Sequence, residues 1–252
     1  MRMTAFYAAY RNEMDKFFLR RKYTALIIVG VIACILLHVL GSVATNFIGQ
    51  RSGIGIILMP TPQGLLPFLL RVVMPLIVFM CATDCVTAEA SDLSIRATIT
   101  RPVERWKVYS AKLFAILSYA FVYMVLIFLA SIVSGLFFGN TPESLLISIV
   151  SYLLAIPTLA VLISFAMFIA VLGRSITLTL VVLVIMYAIM SLLPLIFPVM
   201  SNLLFTSYLA WHRFWVGISP GFRPLMHIIT ILLGYGTVFF TSGSLIFDKQ
   251  EY

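Results

Sequence analysis

The chain is short of charge. Only 10% of its 252 residues are Asp, Glu, Lys or Arg, with 9 acids against 17 bases, whereas a soluble domain carries about 25% charged residues. So few ions cannot coat a water-facing globule of this length, which excludes an ordinary soluble fold. Cysteine is scarce too. Cys34, Cys81 and Cys85 all lie in or beside apolar runs, and an odd number without regular spacing excludes a disulfide framework. No Lys follows a Gly, so the phosphate-binding loop G-x-x-x-x-G-K-[ST] is missing. H-E-x-x-H and Glu-Glu pairs are missing as well, which leaves an intramembrane protease or lipid phosphatase without its converging acids, bases or ligands. Residues 1–22 mix charges with aromatics and lack a small-residue cleavage pattern, unlike a secretory signal.

What is present is apolar. Hydrophobic residues make up 62% of the chain and the mean hydropathy is +1.09. A crossing of about 30 Å of hydrocarbon takes roughly 20 such residues. Six runs qualify: 23–47, 65–88, 113–142 with a start near 109, 145–172, 176–199 and 225–247. The spacing predicts an all-α membrane protein of six transmembrane helices in a single domain, 1–252.

The basic excess follows topology. With both termini in the cytoplasm, Arg2, Arg11, Lys16, Arg20, Arg21, Lys22, Arg96, Arg101, Arg105, Lys107, Lys112, Arg174 and Lys249 fall inside. Arg51, Arg71, Arg213 and Arg223 fall on or near the outside. That bias obeys the positive-inside rule and accounts for the net charge of +8 without nucleic acid as a partner.

Three segments flank the spans. In 1–22, Met3, Tyr7, Tyr10, Met14 and Phe17 recur at helical spacing, which predicts an amphipathic interfacial helix with its stripe in the acyl boundary and its cations near lipid phosphates. A plain basic flank is the alternative. In 89–112 the charges alternate in sign; Ser91 and Asp92 can cap a short helix and Pro102 interrupts it. This stretch reads either as a docking surface for a cytosolic partner or as a solvated connector. In 200–223, Phe205, Tyr208, Trp211, Phe214 and Trp215 suggest an interfacial belt or re-entrant hairpin, or else an outer gate.

Glu89, Arg96, Arg101-Pro102-Val103, Arg105 and Lys112 resemble the signature of type-2 ABC exporter permeases. There a Glu ends the second span, a Gly-Thr-(Leu/Ile)-Arg stretch and Pro-(Val/Ile)-Ser-Arg follow, and a Lys opens the third. Here Leu93-Ser94 stands for Gly-Thr and Glu104 for Ser. Asn12 to Lys16 with Arg20-Arg21-Lys22 is similar to the family's N-terminal interfacial helix, and Phe247-Asp248-Lys249 to its C-terminal flank. The resemblance implies a permease paired with a second copy or homologue and with two cytosolic ABC ATPases. It implies no cofactor bound by this chain, since ATP and Mg would reside in the ATPases, and a multi-pass location in a bacterial plasma membrane. The loop 89–108, with Glu89, Asp92, Arg96, Arg101, Pro102 and Arg105, would be a cytoplasmic coupling helix seated on the ATPase. Glu13, Lys16, Arg20 and Arg21 of the interfacial helix would hold that contact.

Within the predicted spans, Arg71 and Asp84 are the two full charges. Arg71, about five residues in, is placed to snorkel; Asp84 is placed to gate the inner mouth or pair with the basic loop. His38 and His227 read as interhelical hydrogen-bonding groups. Cys81 and Cys85, at i, i+4 near Met74 and Met80, form at most a sparse soft-metal set. The expected cargo is amphipathic or hydrophobic, an antimicrobial peptide or drug. A secondary transporter is the rival reading, but it calls for inverted repeats and mid-membrane helix breaks; the prolines here cluster near span ends.

Overall fold

The computed structural model describes residues 2–48, 61–91, 104–138, 144–214 and 221–250, with side chains from residue 6 onward except those of 44–48. These residues form helices and short 3-10 turns, with no strand among them. Helix α1 (Arg2–Leu19) bends at Arg20 into α2 (Arg21–Ile48). Then come α3 (Pro62–Ser91), α4 (Arg105–Phe138), α5 (Leu145–Leu172), α6 (Ile176–Ile196) and α7 (Phe222–Lys249). The six helices from α2 onward are each long and apolar enough to cross a membrane, and the protein is an all-α membrane protein. The end of the bundle holding α1 is called basal here and the opposite end distal.

The centre is built by α3 and α5. In each, 67% of the most apolar window is buried, against 11% in α6 and 17% in α2 and α7. Small residues permit the close crossings, since without a hydrophobic drive in lipid helices associate through tight packing. A Cβ on Gly243 of α7 would stand 2.2 Å from the Tyr109 hydroxyl, and Tyr109 is itself wedged between Phe240 and Phe247.

Helix α4 starts earlier than its apolar run suggests. It begins at Arg105 and carries Lys112 inside its first turns. Helix α1 also departs from expectation. Tyr10 bonds to the Ser118 hydroxyl at 2.8 Å, Phe17 stacks on Tyr119 at 5.4 Å, and Phe6 meets Phe114 edge-on. Much of the apolar stripe therefore covers α4, although Tyr7 stays exposed. The reason is the length of α4, whose basal turns supply a ready apolar and hydroxylic surface.

Proline placement organises the distal half. A proline inside a helix removes the bond to the carbonyl four residues earlier, and a buried or lipid-facing carbonyl must find another donor. Pro75 frees the carbonyl of Arg71, and the Tyr187 hydroxyl of α6 donates to it at 2.7 Å. Pro194 frees the carbonyl of Met190, and the Thr206 hydroxyl donates to it at 2.8 Å. Next to the carbonyl that Pro157 frees, Leu154 accepts the Trp211 indole N–H at 2.5 Å. Residues 198–214, in three 3-10 turns (Pro198–Asn202, Phe205–Tyr208 and Trp211–Phe214), are thereby drawn back into the bundle. Phe205 and Trp211 are buried, so they fill the core and do not form an interfacial belt.

This arrangement makes a coupled prediction. Thr206→Val, which strands the Met190 carbonyl, should lower stability by about 1–2 kcal/mol. The same change in a Pro194→Ala background, where residue 194 regains an N–H for that carbonyl, should cost less than half as much. Thermal unfolding of the four detergent-purified proteins measures both.

Candidate functional site: a buried ring of charge at the basal end

Two carboxylates on α3 set the site. Asp84 and Glu89 are five residues apart, and on an α-helix they would diverge by about 140°. Residues Thr83–Ala88 instead form a π-helical turn, whose i→i+5 bonding returns the fifth residue to nearly the same face. Both acids therefore face α1 and its junction with α2.

Glu89 meets a Glu and two Lys in a closed ring. Lys16 Nζ lies 2.9 Å from Glu13 Oε1 and 2.5 Å from Glu89 Oε1. Lys112 Nζ lies 3.0 Å from Glu13 Oε1 and 2.7 Å from Glu89 Oε2. Each lysine bridges both glutamates, so two negative and two positive charges close on themselves across α1, α3 and α4. Lys112 is 0% exposed and Glu13 2%. Such charges hold only as a set, since removing one partner of a buried ion pair costs about 3–5 kcal/mol through the charge left behind. The thiol of Cys85 also approaches Glu13 Oε2.

A second cluster ties the bend between α1 and α2 to α3. Asp84 takes Lys22 and the Tyr23 hydroxyl as direct partners, with Arg20 at 4.0 Å. Tyr119 of α4 donates to the Tyr23 carbonyl at 3.0 Å. Around the ring, Thr87 donates to the Ala170 carbonyl of α5 at 2.9 Å. Arg105 donates to the carbonyls of Asp248 and Gln250 at 2.6 and 3.1 Å, and Gln250 donates to that of Val171 at 2.8 Å. The basal ends of α1, α3, α4, α5 and α7 are thus joined by polar contacts.

Of the residues singled out from sequence, Glu13, Lys16, Glu89, Asp84, Arg20 and Arg105 come together in this region. Arg21 is exposed at the start of α2. Asp92, Arg96, Arg101 and Pro102 lie outside the described residues, between Ser91 and Glu104. Glu104 accepts the Trp106 indole N–H at 2.7 Å and pairs with Lys107 at 2.9 Å. Arg71 stands apart, toward the distal end. Arg71 and Asp84 are not the two charges of the spans alone, since the spanning helices also take in Glu89 and Lys112 besides the charges at their ends. In the sequence Lys112 stands out only as the signature Lys that opens the third span, and Tyr23 does not stand out at all. The signal for Lys112 was a single cation in an apolar run, which reads as a flank until two glutamates from other helices are known to meet it. His38 donates from Nδ1 to the Cys34 carbonyl at 2.9 Å and accepts from Ser131 of α4 at 3.4 Å; His227 donates to the Asn202 carbonyl at 3.0 Å.

The ring contains lysines and carboxylates that neutralise one another, an arrangement suited to holding helices in register. A family model for the ABC-2 family transporter protein matches residues 11–191, a stretch that includes every member of the ring. The chain belongs to the ABC-2 transporter family. No curated protein matches it. As an ABC-2 permease it is the multi-pass membrane component of an ABC exporter and not the ATPase, and it works with ABC ATPase subunits.

In this permease Lys112→Met should lower stability by about 3–5 kcal/mol, on the order of 10 °C in melting temperature for a chain of this length. Adding Glu89→Gln should recover a good part of the loss by removing the stranded charge. Melting curves in 0.1 and 1 M salt should show little salt dependence of the wild-type value, because buried pairs are weakly screened.

Proposed function

We propose that this permease exports an amphipathic or hydrophobic substrate, an antimicrobial peptide or drug, from the cytoplasm of a bacterial cell. Both termini and the basal end face the cytoplasm, two ATPase subunits bind there, and a second permease copy or homologue completes the pathway. The loop 89–108 is the contact with the ATPase, with Arg96, Arg101 and Arg105 on it.

The ring of Glu13, Lys16, Glu89 and Lys112 carries this reading. It joins α1, the end of α3 and the start of α4, the elements that flank the loop. A push on the loop is delivered to all three as one body, because the ring's members cannot separate without exposing an unpaired buried charge. ATP-driven closure of the ATPases then tilts the permease between inward- and outward-open arrangements. Two further features support the cargo and the partner. An open cleft of about 350 Å³ between α2, α3 and α4 is lined by Val29, Leu37, Leu69, Val72, Leu76 and Ile127, apolar throughout. The face of α6 that includes Leu178, Ile185 and Leu192 is exposed and suits a second permease.

The test is a reconstituted complex with its ATPase. Arg96→Glu or Arg105→Glu should cut substrate-stimulated ATP hydrolysis about tenfold, the effect of roughly 1.4 kcal/mol, with membrane insertion unchanged. Full stimulation in both variants would remove the assigned role of the loop. Substrate transport by the chain without any ATPase would favour a secondary transporter instead.

A further inference from the structure

The two ends of the bundle differ in how their charges are matched. Among the described residues the carboxylates are Glu13, Asp15, Asp84, Glu89, Glu104 and Asp248, and all sit toward the basal end. Arg71 and Arg213, both exposed, sit toward the distal end and form no ion pair among the described residues.

These cations are not at the rim. Arg71 is nine residues from the start of α3 at Pro62, Leu154 nine from the start of α5 at Leu145, and Tyr187 nine from the end of α6 at Ile196. At 1.5 Å per residue each is about 13 Å below its helix end. The Tyr187 bond to the Arg71 carbonyl and the Trp211 bond to the Leu154 carbonyl lie in this one layer. His212 and Arg213 follow Trp211 directly, so the re-entrant turns bring them to the depth of Arg71. Because α3 begins at Pro62, three residues before its apolar run, Arg71 stands that much further from its helix end than the run alone places it.

His212 adds an independent observation. It is 2% exposed, and both ring nitrogens are buried without a hydrogen-bond partner. Arg213 and Arg71 are the charged groups that act on it, and a neutral imidazole offers one N–H donor and one acceptor. A buried donor and acceptor left unmatched each cost about 1–3 kcal/mol. Two guanidiniums and an unsatisfied imidazole, with no described carboxylate near them, match an anion supplied from outside the chain.

We propose that Arg71, His212 and Arg213 form a distal site for the phosphate group of an anionic amphiphile. Guanidinium forks suit phosphate oxygens through paired N–H bonds, and the imidazole N–H adds a third donor. The apolar part has a place beside it, because Phe68 and Val72, three residues before and one after Arg71, line the open cleft against α2. Cationic group and apolar cleft thus adjoin on one helix. The site does not rest on the ATPase coupling proposed above and can be tested without it.

The test is the melting temperature of the detergent-purified full chain with phosphatidylglycerol, with zwitterionic phosphatidylcholine, and with inorganic phosphate. Phosphatidylglycerol should raise it by several degrees and phosphatidylcholine by much less. Arg71→Gln and Arg213→Gln should each remove at least half of that shift. An equal, arginine-dependent shift with inorganic phosphate alone would keep the anion site but assign it to a soluble phosphate compound. Should Arg71→Gln fail to fold, Arg213→Gln, whose side chain is exposed, carries the comparison. Equal shifts with both lipids, no shift with any probe, or a shift untouched by the arginine substitutions would overturn the proposal.

Discussion

Four charges closed into one ring, three of them buried, admit few geometries. Lys112 is wholly enclosed and must have both Glu13 and Glu89 within reach, while Lys16 must reach the same two acids from the open side. Apolar surfaces of helices in a membrane slide past one another at little cost, because lipid tails replace side-chain contacts. A closed ion ring forbids such sliding, since a shift of one residue would strand a charge. The π turn Thr83–Ala88 is part of the same solution. It costs regular helix geometry, and in return it turns both Asp84 and Glu89 toward α1 and α2, where Lys16 and Lys22 meet them.

The distal half uses neutral bonds for the same purpose. Pro75 and Pro194 each release a carbonyl, and each carbonyl selects a hydroxyl from elsewhere in the chain. Two contacts, from Thr206 to the Met190 carbonyl and from Trp211 to the Leu154 carbonyl, fix residues 198–214 in the bundle. For the hydroxyls the chain of cause runs from proline to freed carbonyl to donor; the Trp211 indole, bonded to the Leu154 carbonyl beside the one Pro157 frees, then sets the positions of His212 and Arg213. A proline near a span end looks like a terminator, yet Pro194 lies within α6 and works as a socket.

The six spans were legible because hydropathy is a local property, readable in windows of about 20 residues. The family was legible because Glu89, Arg96, Arg105 and Lys112 hold a spacing along the chain. What stayed hidden depends on contacts between distant residues. Lys112 looked like the flank of a span because its neutralising partners are 23 and 99 positions away. Part of the apolar stripe of α1 looked lipid-facing because nothing nearby in sequence shows that α4 extends basally to receive it. The aromatics of 205–211 were compatible with an interfacial belt or a re-entrant hairpin by composition, and contacts to the Met190 and Leu154 carbonyls, far away in sequence, favour the turn back into the bundle. Arg71 looked shallow because Pro62, Gln63 and Gly64 carry no span signal, although Thr61 caps that turn through the Gly64 N–H.

The unequal fastening of the two ends bears on how such a bundle can move. At the basal end α1, α3 and α4 share ionic bonds that cannot be parted singly without a large cost, and α5 and α7 are joined to them by hydrogen bonds. At the distal end α6 and the re-entrant turns are held by single neutral hydrogen bonds of the kind worth about 0.6 kcal/mol on average in membranes. A force applied to the basal end is therefore transmitted through an unyielding joint and released where contacts are weakest. The distal half, with α6 and the turns between α6 and α7, is the part that can open while the basal joint stays intact. With the ATPases seated at the basal end, as proposed above, this order of stiffness would carry their stroke across the membrane, because a joint that loosened under load would dissipate it.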